Sequence, residues 1–281
     1  MISVVVPAYN EAGAVGETIA AIRRALARVE HEVIVVDDGS TDDTGGVALA
    51  GGAKVIRQPH NLGYGAALKA GIRVAAFDTI VITDADGTYP ADMIPTLIGE
   101  YQKGFSMVVG ARTGVHESFV KAPLRRLLKW LVEFTTGRRI PDVNSGLRVF
   151  SGREITPYFD SLCDTFSFTT SVTLAYMMTA KFVRYVPIAY NSRVGETKVR
   201  LVRDSLRTLQ YIVQAILYYN PLKLFLLICA GLAVVGVVSF IVAWRGSGPA
   251  YYAGVSSLLL IVPTFCLGLV ADLLKQILAR R

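Results

Sequence analysis

The chain has 281 residues, 52% of them hydrophobic, and 29 Lys and Arg against 22 Asp and Glu give a formal charge of +7; mean hydropathy is +0.44. The chain has three scattered cysteines, Cys163, Cys229 and Cys266, which suggest neither a disulfide framework nor a zinc site and fit a reduced cytosol. It is also more apolar than a typical soluble protein, so part of the chain is expected in lipid.

Ile2 to Val6 is a short β-branched run without a basic leader, which reads as a strand and not as a signal peptide. A polar turn, Pro7-Ala8-Tyr9-Asn10-Glu11, leads into a helix with Val15, Ile19, Ile22 and Leu26 on one face. Glu32 to Val36 repeats the pattern and ends in Asp37-Asp38-Gly39-Ser40-Thr41-Asp42. Val55-Ile56 begins a third strand, Asn61 to Ala76 a Gly- and Ala-rich helix, and Thr79 to Thr83 a fourth strand. Such alternation predicts a parallel sheet with helices on both faces.

The fourth strand closes on Asp84-Ala85-Asp86. Alternate residues share one face, so both carboxylates can reach one divalent cation at the strand tip, and that cation would neutralise a diphosphate. Ligands of such sheets sit beyond the carboxyl ends of the strands, where Glu11, Asp37, Asp38, Asp84 and Asp86 are expected to converge. Unpaired carboxylates gathered on one edge repel one another unless a cation or ligand offsets them.

Two apolar stretches follow, Leu224 to Trp244 and Tyr251 to Ala271, each about the 20 residues that cross a hydrocarbon core. The linker within residues 245–250 is short enough for a tight hairpin, and Pro263 is expected to kink the second span. Lys198, Arg200, Arg203, Arg207 and Lys223 precede the hairpin and Lys275, Arg280 and Arg281 follow it, against Arg245 alone in its loop. That asymmetry predicts a multi-pass protein of the inner membrane with the bulk of the chain in the cytoplasm. Residues 199–221 have an amphipathic pattern suited to the head-group level, so the expected division is 1–198, 199–221 and 222–281. No nucleic-acid motif accompanies the basic clusters at Arg125-Arg126 and Arg138-Arg139, and anionic lipid head groups or a phosphorylated lipid are the better partners. Gly231, Gly236 and Gly254 are small enough to let helices approach closely, which leaves a homo-oligomer open.

Six motifs stand in one order: Pro7-Ala8-Tyr9-Asn10-Glu11, Asp37-Asp38-Gly39-Ser40-Thr41-Asp42, Asp84-Ala85-Asp86, Gly110-Ala111-Arg112, Asp142-Val143-Asn144-Ser145-Gly146-Leu147-Arg148 and Gly195-Glu196-Thr197-Lys198. In these the chain resembles family 2 glycosyltransferases of the Rossmann-like type A fold, and among them the polyprenyl-phosphate (dolichyl-phosphate) sugar synthases. The resemblance implies a membrane-anchored inverting enzyme that moves a hexose from a nucleotide diphosphate sugar, UDP-glucose or GDP-mannose, to polyprenyl phosphate. It implies that Pro7, Tyr9, Glu11, Val36 and Asp38 hold the nucleoside, with Ala85 beside them, and that Asp84 and Asp86 hold Mg2+ or Mn2+. It places catalytic roles on Asp86, Arg112, Asp142 and Ser145, and phosphate or acceptor contacts on Arg112, Arg125, Arg126, Arg193 and Lys198.

The chain departs from the family pattern in three places. Thr88 stands where an amide often follows the paired acids, the segment Phe166 to Thr173 lacks an acid that many relatives carry, and Arg193 lies closer to Lys198 than is common. Two rivals are a processive polysaccharide synthase, whose Gln-x-x-Arg-Trp signature is absent, and a catalytically silent membrane adaptor, against which the retained Asp84, Asp86 and Arg112 argue. A lipid phosphate is already anionic at neutral pH, so transfer to it needs no general base; the task is to bring two anions together.

Overall fold

The computed structural model describes residues 1–113, 122–191 and 201–278. The chain divides into two units, Met1–Tyr211 and Ile212–Arg281. The first opens with β1 (Ile2–Ala8), α1 (Val15–Ala25), β2 (His31–Asp37), α2 (Thr44–Ala50), β3 (Lys54–Arg57), α3 (Tyr64–Arg73), β4 (Thr79–Ile82) and α4 (Ile94–Tyr101). It continues with β5 (Met107–Thr113), α5 (Ala122–Thr136), β6 (Arg148–Ser151), the short α6 (Gly152–Ile155), α7 (Phe168–Met178) and β7 (Val183–Ala189). Helix α8 (Leu201–Tyr219) carries the boundary between the units.

Among the described residues one sheet runs in the order β3-β2-β1-β4-β6-β5-β7. Its neighbours are parallel except at β6, which is antiparallel to both β4 and β5. The expectation of a parallel sheet is corrected at this strand. After β5 the chain re-enters the sheet from the edge it has just left, without a crossover, so β6 runs backwards. The segment that feeds β6, Asp142–Leu147, therefore lies at the edge where β1, β2, β4 and β5 end.

The period of two along each strand divides the core into two layers. Val4, Val6, Val33, Val35, Val81, Val108 and Val149 share one cluster with Ile19 and Ile22 of α1 and Ile94 and Leu97 of α4. On the other face Val5 and Val36 pack against α3, so closely that a methyl at Gly71 would lie 2.4 Å from Val5 Cγ1 and 3.0 Å from Val36 Cγ2. Val36 is thus a core residue, fully buried beneath α3.

The second unit contains α9 (Pro221–Trp244), α10 (Gly248–Leu259) and α11 (Ile261–Leu278). Asn220 caps α9, its side chain accepting from the Lys223 amide, and Pro221 sits in the first turn, where no N–H is needed. Among the described residues two stretches are long and apolar enough to cross a membrane: Pro221–Trp244, 24 residues at mean hydropathy 2.9, and residues 248–277, 30 residues at 2.2. The second is longer than the predicted Tyr251 to Ala271. It is interrupted at Leu260, close to Pro263, whose missing N–H and ring disfavour a regular turn just before it. Gly236 and Gly254 face each other inside the hairpin, a Cβ at Gly254 lying 3.3 Å from the Gly236 carbonyl, whereas nothing lies within 4 Å of one at Gly231. Two of the three glycines considered for contacts between copies therefore serve packing within the chain. Lys275 Nζ donates to the Tyr219 carbonyl at 2.6 Å, tying the end of α11 to the end of α8.

Gly71→Ala tests the close approach. Alanine favours a helix interior by about 1 kcal/mol, but overpacking costs about 1–3 kcal/mol, so a lower melting temperature is expected. A raised one would contradict the contact.

Candidate active site

The loops after β1 and β2 are laced together. Asn10 adopts φ +52°, its amide donates to Ser40 Oγ at 2.9 Å, and its side-chain oxygen accepts from the Thr41 amide at 2.7 Å. The Glu11 amide donates to Thr44 Oγ1 at 2.8 Å, and the Glu11 carbonyl receives the Ala14 and Val15 amides that open α1. These bonds join the two loops at the sheet edge, with Pro7 buried and Tyr9 and Glu11 part-exposed.

The two acids after β2 have different duties. Asp37, fully buried, accepts from Arg57 Nε at 3.0 Å and from the Ser40 amide at 2.9 Å, so its charge is compensated within the fold. The expectation of uncompensated carboxylates along the whole edge is corrected here. Asp38 accepts from the Leu62 and Gly63 amides at 2.8 and 2.9 Å and so holds the turn into α3. Burial pushes its carboxyl above the ordinary aspartate value, against the pull of those two amides. Gly39 makes this approach feasible: it has φ +72°, and a Cβ there would sit 2.5 Å from the His60 backbone.

Asp84 and Asp86 follow β4. Ala85 between them is buried, and its carbonyl accepts from Thr18 Oγ1 at 3.0 Å, which anchors the turn to α1. Asp84 receives the Tyr64 hydroxyl at 2.8 Å. Asp86 receives the Thr88 amide at 3.1 Å and its hydroxyl at 2.6 Å, so the residue standing where an amide was expected spends its hydroxyl on holding the second acid. Burial, then the Asp84 charge, push the Tyr64 phenol well above its ordinary value, and it stays a donor.

The segment before β6 closes the other side. Asp142 grips Arg112 at the end of β5 through Nε at 2.7 Å and Nη2 at 2.9 Å, with the Asn144 amide on the same carboxylate at 3.0 Å. Burial opposes both charges, but the pairing wins: Arg112 is held above its ordinary value and Asp142 below its own. Ser145 donates to the Gly110 carbonyl at 2.5 Å, and the Gly146 amide donates to Tyr89 Oη at 2.6 Å. A Cβ on Gly146 would lie 2.8 Å from Asp84 Oδ1, so this turn abuts the acids directly. The Tyr190 ring lies under Arg112 at 5.2 Å and meets Tyr89 edge-on. Arg148 is wholly buried and bonds the carbonyls of Ser145 and Val143 and the hydroxyl of Thr173, each at 2.8 Å.

Glu11, Asp38, Asp84, Ala85, Asp86, Asp142 and Ser145 are thus borne by loops of one sheet edge, and Arg112 by the end of β5 at that edge. Asp142 grips and orients Arg112, Ser145 fastens its own turn, and Val36 lies in the core below. Arg126 is exposed on α5, the side chain of Arg125 lies outside the described residues, and so do Arg193 and Lys198. Among the described residues no group of three or more His, Cys, Asp or Glu could hold a metal by itself. Two hard carboxylates suit Mg2+ or Mn2+ when a diphosphate and water supply the remaining oxygens. Reading the sequence missed Tyr64, Phe166 and Tyr190. A tyrosine between two glycines at a helix start, Gly63-Tyr64-Gly65, was the available signal.

Asp142→Asn tests the Arg112 clamp. The folded carboxyl lies below the unfolded one, so its stabilisation is present above the ordinary value near 3.8 and is lost as pH falls through the folded value. The melting-temperature gap to the wild type should be flat from about pH 8 to 5 and close below about pH 4. A gap independent of pH would contradict the pairing.

The family model described as glycosyl transferase family 2 matches residues 3–154, which include every acid and arginine of this edge named above. The chain is 31% identical to the low-salt glycan biosynthesis hexosyltransferase Agl6 of Haloferax volcanii, over 87% of this chain and 60% of that protein, so it spans less than two thirds of that relative. It is 28% identical to the undecaprenyl-phosphate 4-deoxy-4-formamido-L-arabinose transferase of Salmonella paratyphi A, over 94% of this chain and 83% of that one. Among solved structures, glucosyl-3-phosphoglycerate synthase from Mycobacterium tuberculosis, seen with Mn2+, UDP-glucose and phosphoglyceric acid, superposes with a TM-score of 0.65 at 23% identity. That likeness covers 76% of this chain and 79% of the synthase and shows a shared type A fold. The matched span exceeds half of the 281 residues, and the chain belongs to glycosyl transferase family 2.

Proposed function

We propose that this protein transfers a hexose from a nucleoside diphosphate sugar, UDP-glucose or GDP-mannose, to polyprenyl phosphate, with inversion at the anomeric carbon and release of the nucleoside diphosphate. The observation that carries the reading is the meeting of Asp84 and Asp86 with the Asp142-held Arg112 at one sheet edge, in a chain that also has two span-length apolar helices. The printed names of two relatives, a hexosyltransferase and an undecaprenyl-phosphate sugar transferase, point the same way.

In this proposal Pro7, Tyr9 and Glu11, braced by Asp38 and Val36, take the nucleoside. Asp84 and Asp86 would hold Mg2+ or Mn2+, which when bound neutralises charge on the diphosphate leaving group. Arg112 cannot swing away, because Asp142 takes two of its donors, so its charge is fixed before either anion arrives. Arg112, with Arg125, Arg126, Arg193 and Lys198, is assigned to the phosphates of donor and acceptor. An acceptor phosphate oxygen attacks the anomeric carbon as the bond to the diphosphate breaks, and no proton must be removed. The hydroxyl-bearing start of α7 fits this, since Thr170 donates to the Asn144 side chain at 2.7 Å and no carboxylate stands there to act as a base. The soluble unit is placed on the cytoplasmic side, where nucleotide sugars are available.

The test is release of nucleoside diphosphate by the full-length protein in lipid vesicles with a donor sugar, polyprenyl phosphate and Mn2+. Asp86→Ala should lower the rate at least about 100-fold. Full activity in that variant would overturn the cation site, and equal activity with unphosphorylated polyprenol would overturn the acceptor.

A further inference from the structure

Nothing in the proposed chemistry requires Tyr64, yet the fold goes to some length to hold it. Gly63, at φ +108°, and Gly65 press against the segment after Leu162: a Cβ at the first would lie 2.5 Å from the Asp164 carbonyl oxygen, and one at the second 2.1 Å from that of Cys163. The Ala66 amide donates to the Asp164 carbonyl at 3.0 Å. Lys69, only 7% exposed, donates to the Leu162 carbonyl at 2.6 Å and to the Asp164 carboxylate at 2.7 Å. Burying a lysine is costly unless its ammonium is satisfied, and here it is spent on clamping this segment to α3. The clamp delivers Phe166, whose ring stacks on Tyr64 at 5.7 Å with 19° between the planes. Held so, the Tyr64 hydroxyl meets Asp84 Oδ1 at 2.8 Å.

We propose that Tyr64 is a positioning residue for the donor site: its hydroxyl fixes the orientation of the Asp84 carboxylate, and Phe166 fixes the ring, so that the pair sets the affinity of the site for a divalent cation. The inference rests on Asp84 being a cation ligand. A hydroxyl donor takes one lone pair of a carboxylate and so fixes its orientation. Partners of this kind change metal affinity by about 10–100-fold when removed.

The experiment is titration of the full-length protein with Mn2+ in the presence of nucleoside diphosphate, followed by electron paramagnetic resonance of the unbound ion, beside the Mn2+ dependence of transfer. Tyr64→Phe keeps the ring and its stacking, and should bind Mn2+ about 10-fold more weakly. Its kcat at saturating Mn2+ should stay within about twofold of the wild type, which a merely structural defect would not give. Phe166→Leu, which leaves the hydroxyl but frees the ring, should shift affinity in the same direction by a smaller factor. Asp84→Asn is the reference and should lose the binding. If Asp84→Asn loses it while Tyr64→Phe binds as the wild type does, the role of Tyr64 is overturned and the cation site stands. A Tyr64→Phe protein with a depressed kcat and unchanged Mn2+ affinity overturns it equally. If Asp84→Asn binds normally, the underlying site is wrong.

Discussion

The arrangement depends on one topological constraint, the reversal of β6 between β4 and β5. Had β6 run parallel to its neighbours, the turn before it would lie at the opposite edge, far from the strand ends that carry Asp84 and Arg112. Because it runs backwards, Asp142 reaches Arg112, Ser145 reaches Gly110, and Gly146 comes up against Asp84. Buried Arg148, the first residue of β6, reaches back to the carbonyls of the same turn. Charge in the core is expensive unless its donors are satisfied, and here the donors are spent on shaping one functional loop.

Carboxylates along that edge meet different kinds of donor. Asp37 and Asp142 are bonded to arginines, and their partners close a strand end or aim a guanidinium. Asp84 and Asp86 receive hydroxyls from Tyr64 and Thr88. Asp38 differs again, its oxygens taken by two backbone amides of the turn into α3. The proposed reading thus needs fewer acids than the sequence offers.

Much of this was legible in the residues. The β-branched runs at Ile2, Glu32 and Thr79 gave strands, and the paired acids at the tip of the fourth lie where a strand-end argument puts them. Other features were not legible, because they are made by contacts distant in the chain. Arg57 lies 20 residues from Asp37, Asp142 lies 30 from Arg112, and Phe166 meets Tyr64 across about 100 positions. Strand direction was equally hidden, since a four-residue strand such as β6 reads the same in either sense. In the apolar hairpin two stretches were readable but the length of the second was not, and the use of Gly236 and Gly254 to seat α9 against α10 became visible only once the helices were paired.

The central claim is that the tip of β4 seats a divalent cation beside a nucleotide diphosphate. Anomalous diffraction at the manganese edge from crystals grown with Mn2+ and nucleoside diphosphate tests it most directly. The account predicts one strong peak within about 2–2.5 Å of carboxylate oxygens at the Asp84–Asp86 turn, with the diphosphate on its far side. A peak elsewhere, or a nucleotide bound at this edge with those two carboxylates turned away from it, would contradict the account.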